Sequence, residues 1–76
     1  MDEVILRVGP AAGGWSVDCD LLEPTFYRSG ARAEAVGREL AAHLSGAGRN
    51  VRMLVSDRTE RLVVSQRYFG ALETVS

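Results

Sequence analysis

One stretch limits the folds open to this chain of 76 residues: Ser29 to Leu44 is the one segment with helical periodicity. At about 100° per residue, Ala33, Val36, Gly37, Leu40, Leu44 and Ala47 fall on one arc, and Arg32, Glu34, Arg38, Glu39 and Ser45 on the other. A helix with a single apolar stripe must lie on something apolar. The flanking segments alternate with period two, so the partner is a sheet. Ser29 is placed to cap the helix, and Gly46-Ala47-Gly48 to stop it. Glu34 and Arg38 stand four apart, in the order that favours a surface ion pair.

Five strands follow from the pattern. Glu3 to Val8 sets Val4, Leu6 and Val8 on one face, with Ile5 and Arg7 on the other. Gly9 to Gly14 reads as a turn. Trp15 to Asp20 alternates, with Trp15, Val17 and Cys19 inward. Leu21 to Pro24 is predicted as a turn, and Thr25 to Arg28 as a short strand that contributes Phe26 to the core. Asn50 to Ser56 has Val51, Met53 and Val55 on one face, and Arg52, Leu54 and Ser56 on the other. Asp57 to Glu60 is a hairpin turn. Arg61 to Tyr68 is expected to direct Leu62, Val64 and Tyr68 to the helix, and Arg61, Val63, Ser65 and Arg67 away.

The order is β-β-β-α-β-β, an α+β fold with one helix packed on one face of a mostly antiparallel sheet. The expected core is Val4, Leu6, Trp15, Val17, Phe26, Val36, Leu40, Leu44, Val51, Met53, Val55, Leu62 and Val64. Residues 1–76 form a single domain, with an ordered part of about 3–70 and a tail, 71–76, that lacks a pattern and is expected to fray. A domain this small buries only about 60% of its unfolded surface, and self-pairing is a common way to recover burial.

Certain residues carry a resemblance. Gly13-Gly14-Trp15-Ser16-Val17, Ala33-Glu34-Ala35-Val36, Asp57 through Leu62, and Arg67-Tyr68-Phe69-Gly70 resemble the small bacterial family catalogued as domain of unknown function 2188. The similarity spans residues 4–70. That family carries Asp-Gly at its last hairpin, whereas Arg58 follows Asp57 here. The resemblance implies a fold and assigns no activity. The strand order is also similar, in topology, to the antitoxin half of HicA–HicB toxin–antitoxin pairs. The Pro-Gly-Cys segment typical there is replaced by Leu22-Glu23-Pro24.

Candidates for chemistry are few. His43, one turn after Glu39, suits a half-solvated helix edge better than a general base, because no nucleophile has a place beside it. Cys19 between Asp18 and Asp20 lacks the cationic surroundings that activate a thiol. Asp18 and Asp20, with Glu23 beyond, fit a solvated strand face better than a cation site. Trp15 suits a core anchor, and Gly9 to Gly14 leads into a strand without a phosphate-loop ending. No catalytic, cofactor or metal residue is assigned, and the chain is expected not to be an enzyme.

Charge is more informative. All nine basic residues are arginine, a composition typical of GC-rich bacterial genomes. Residues 1–30 sum to −3, and residues 49–67 to +3. Arg52, Arg61 and Arg67 share the last hairpin with Leu54 and Val63. Apolar side chains rimmed by arginine point to a protein interface, with a homodimer or a protein partner expected. The alternative is a nucleic-acid-binding or antitoxin-like module that uses the same hairpin on phosphates. No apolar run is long enough to span a membrane and no leader is apparent, so a cytoplasmic location is expected.

Overall fold

The computed structural model describes residues 3–70. The elements run β1 (Glu3–Ala11), β2 (Gly14–Cys19), β3 (Leu22–Tyr27), α1 (Gly30–Gly46), β4 (Asn50–Ser56) and β5 (Leu62–Tyr68). The fold is therefore the expected α+β arrangement, with α1 against one face of a mixed five-stranded sheet. Strand order is β3-β2-β1-β4-β5. Three neighbouring pairs are antiparallel; the central one, β1 with β4, is parallel and sets Val4 beside Val51 and Val8 beside Val55. The frayed tail expected for 71–76 lies outside the described residues.

Both helix ends close as the sequence predicts. The Ser29 hydroxyl accepts from the Arg32 N–H at 3.2 Å. At the far end the Arg49 N–H donates to the Leu44 carbonyl and the Gly48 N–H to that of Ser45, with Gly48 at φ +92°. This is a Schellman closure, and the left-handed residue is the glycine that tolerates it.

The buried core is Val4, Leu6, Val8, Val17, Cys19, Ala33, Ala41, Val51, Met53 and Val55. The helix meets the sheet through small residues one turn apart: Ala33, Gly37 and Ala41 are its buried positions. Val36, Leu40 and Leu44 lie half-buried beside that line. Gly37 shows how close the approach is, since a Cβ there would stand 2.8 Å from Val8 Cγ2. Trp15 closes the end of the core by lying against Gly30 at the start of α1, where a Cβ would come within 2.8 Å of the indole.

Two expected core residues face the other way. Phe26 pairs with Ser16, while its neighbour Tyr27 pairs with Trp15. Tyr27 therefore packs on the core, and Phe26 is 65% exposed on the open face. Leu62 is displaced by a bulge: Ser56 pairs with Leu62, yet Val55 pairs with Val64, leaving Val63 as the extra residue. Leu62 thus joins the face of Ser56 and is 54% exposed. The same irregularity leaves Arg61 in the turn, ahead of the strand.

Two turns are also shorter than expected. β1 continues through Gly9 and Pro10 to Ala11, and only Ala12-Gly13 turn, both with positive φ (+41° and +82°). That is the two-residue hairpin geometry that matches strand twist. Pro10 is tolerated because β1 has already passed its last pair with β4. The next turn is Asp20-Leu21, and Pro24 lies within β3, an edge strand.

Candidate functional site

With α1 covering one face, no described residue covers the opposite face of the sheet. Alternation and register place Glu3, Ile5, Arg7 and Gly9 of β1 there, with Ser16 and Asp18 of β2 and Phe26 of β3 on one side. On the other side stand Arg52, Leu54 and Ser56 of β4, with Leu62, Val63, Ser65 and Arg67 of β5. Of the five predicted interaction residues, Arg52, Leu54, Val63 and Arg67 share this face. Arg61 is exposed in the turn beside it.

The face has relief. Its lateral row at the level of Gly9 runs Phe26, Ser16, Gly9, Ser56, Leu62, with large apolar side chains at both ends and small residues between. Gly9 sits beside Ser56, where an added Cβ would be 3.7 Å from Ser56 Cβ. The small residues leave a shallow depression of about 290 Å³, bordered by Arg7, Asp18, Leu54 and Leu62. Ile5 and Leu54 are half-buried, and Val63 is 55% exposed.

Its charges are arranged by strand. Arg52 and Arg67 are direct cross-strand neighbours, a like-charge pairing that costs stability on its own. Glu3 offsets the repulsion, with Oε1 at 3.4 Å from Arg52 Nε and Oε2 at 3.7 Å from Arg67 Nε. One carboxylate thus serves two guanidinium groups. Arg52 Nε is buried and has no aligned hydrogen-bond acceptor among the described residues. Across the sheet, Arg7 stands 4.0 Å from Asp20. Asp18, on β2 beside Arg7, makes no ion pair within the described residues. A net negative patch on β2 therefore faces a net positive one on β4 and β5, with β1 between them.

Glu3 was invisible as a partner in the sequence. Its contact with Arg52 depends on the parallel pairing of β1 and β4, which local patterning does not reveal. Phe26 and Leu62 were hidden for a related reason, since each depends on a register or a bulge.

The edges of the sheet differ from its face. β3 carries Pro24 and an irregular register against β2, and β5 carries its bulge. Both features blunt an edge against pairing with another strand.

The other candidates are dispersed. His43 is exposed and makes no ion pair with Glu39, while Cys19 is buried and free. No cluster of three or more metal-ligating side chains occurs among the described residues. Among the described residues, Asp57 is the one group with a shifted acidity. Its Oδ1 accepts from the Thr59 hydroxyl at 2.6 Å, the Thr59 N–H at 2.8 Å and the Arg61 N–H at 3.1 Å, and these bonds hold its pKa below 3.8. Its role is to organise the β4–β5 turn. Among the described residues no helix is long and apolar enough to cross a membrane. No protein-family model, curated protein or solved structure matches the chain.

Proposed function

We propose that this chain is a non-enzymatic interaction domain that works by protein contact through its open sheet face, including contact with a second copy of itself. The observation that carries this reading is the grouping of Ile5, Phe26, Leu54, Leu62 and Val63 on one uncovered face. Exposed apolar groups with charged surroundings mark association surfaces. The blunted edges favour contact through the face over strand addition. The sequence motifs that resemble the domain of unknown function 2188 family assign no role of their own.

The charge pattern favours protein over nucleic acid. Arg52 and Arg67 already share Glu3, so two of the arginines on the last hairpin are partly neutralised within the chain. Phosphate binding gains from arginines that are free to release counterions.

Sedimentation tests the reading. The wild type is expected to sediment as a dimer at micromolar concentration, and Val63→Arg, which puts a charge on the seam, as a monomer. A wild type that stays monomeric at high concentration would sink the self-association reading. Steep weakening of binding to a mixed-sequence oligonucleotide with added salt would favour the nucleic-acid alternative.

A further inference from the structure

We infer that two copies stack face to face about a two-fold axis that runs along β1, so that β2–β3 of each copy lies over β4–β5 of the other. This deepens the self-association reading and rests on it.

The argument starts from the position of β1. It is the middle strand of five, in the order β3-β2-β1-β4-β5. A face-to-face pair with a closed two-fold can place its axis along the strands or across them. An axis along the strands exchanges the two halves of the sheet. An axis across them lays each strand over its own copy.

Charge separates the two choices. On the open face the carboxylates Asp18 and Asp20 belong to β2 and its turn, and the guanidinium pair Arg52 and Arg67 to β4 and β5. An axis across the strands keeps the carboxylates of β2 over β2 and the arginine pair over β4 and β5, so these opposite charges do not meet. Like charges face to face are unfavourable, and stacking partly desolvates them. An axis along β1 sets β2 over β4 instead and leaves β1 over its own copy, where each Arg7 is offset by Asp20 of its own chain at 4.0 Å. Asp20 stands at the level of Ile5, because Cys19 pairs with Leu6 and Asp20 follows it. Arg52 pairs with Ile5 from the other side. Asp20 of one copy therefore lies over Arg52 of the other. Among the described residues Glu3 is the one carboxylate paired with these two arginines.

The apolar groups obey the same operation. Phe26 and Leu62 lie at the two ends of the Gly9 row, equally distant from β1. Rotation about β1 brings Phe26 of each copy over Leu62 of the other, twice per dimer. Ser16 then faces Ser56, and the Gly9 positions meet on the axis. An axis inclined by about 15° to β1 also produces the crossing of about 30° usual between stacked sheets.

The area is sufficient. Five strands about 4.8 Å apart, each offering about seven residues of about 3.3 Å, present roughly 550 Å² per copy. Two copies bury roughly 1,100 Å², just above the roughly 1,000 Å² that a specific interface requires.

Cross-linking tests the axis separately from the dimer. Phe26→Cys and Leu62→Cys are made as two proteins, and a short bismaleimide is added to each alone and to their mixture. Both side chains are exposed, so both variants are expected to fold, and wild type, whose Cys19 is buried, is the blank. The expected result is a covalent dimer in the mixture, at several times the yield of either protein alone. If Phe26→Cys alone links to itself more than to Leu62→Cys, the axis runs across the strands and the inference fails while the dimer survives. A sedimenting dimer that shows no Phe26–Leu62 link also overturns it. A monomer by sedimentation removes both readings together.

Discussion

Single residues in the turns hold more of this fold than their exposure suggests. Ala12 sits at φ +41°, a left-handed conformation that costs a residue with a Cβ about 1–2 kcal/mol. Asparagine followed by glycine is the preferred pair for this turn, and Gly13 is already present. Ala12→Asn is expected to stabilise the protein by about 1 kcal/mol, read from the midpoint of urea unfolding. Asp57 works by the opposite route, with one carboxylate oxygen holding three donors across the second hairpin. Because those bonds favour the ionised form, the folded pKa lies below the unfolded value. The stabilisation is then complete above the ordinary value of 3.8 and is lost as pH falls through the lowered one. Asp57→Asn should melt below wild type at neutral pH, and the gap should close on acidification. A gap that stays constant down to pH 2 would show that the charge is irrelevant to the turn.

At the level of elements, α1 shows what periodicity can and cannot reveal. Of the arc that the spacing predicts, Ala33, Val36, Gly37, Leu40 and Leu44 face the sheet, while Ala47 is exposed at the helix end. The buried line, however, runs through the smallest residues, Ala33, Gly37 and Ala41, and Ala41 stands at the side of that arc. Hydrophobicity points to the leucines, whereas close approach selects alanine and glycine. Gly37→Ala separates these influences. Helix propensity alone predicts a gain of about 1 kcal/mol. The added methyl would stand 2.8 Å from Val8 Cγ2 and 3.4 Å from Leu6 Cδ2, so net destabilisation of about 1 kcal/mol is expected. A rise in melting temperature would mean that the helix can move off the sheet at little cost. Leu40, half-buried, should lose about 2 kcal/mol on truncation to alanine, the low end of the range for buried leucines. The strands were legible in outline, because alternation is local. Their faces were lost where a bulge inserted one residue at Val63, or where pairing set Tyr27 rather than Phe26 opposite Trp15.

For the whole molecule, one helix can cover one face of a sheet and no more. The apolar character of the opposite face was visible in Leu54 and Val63. Its extent is not legible there, because alternation alone places Phe26 and Leu62 in the core. Their place on the opposite face shrinks the core and enlarges the exposed apolar surface. Phe26→Ser and Leu62→Ser are accordingly expected to weaken self-association at least tenfold in sedimentation while leaving the melting temperature of dilute protein nearly unchanged. A large drop in that melting temperature would return both residues to a folding role.

The parallel contact between β1 and β4 also bears on the birth of the chain at the ribosome. The strands β1, β2 and β3 form a meander that can pair as soon as it emerges. One flank of β1 then stays bare until β4 arrives, with Val4 waiting for Val51. Such long-range pairing delays folding and leaves a nascent chain open to sticking to its neighbours. In this protein the bare flank persists until β4 has followed the 17 residues of α1 out of the ribosome.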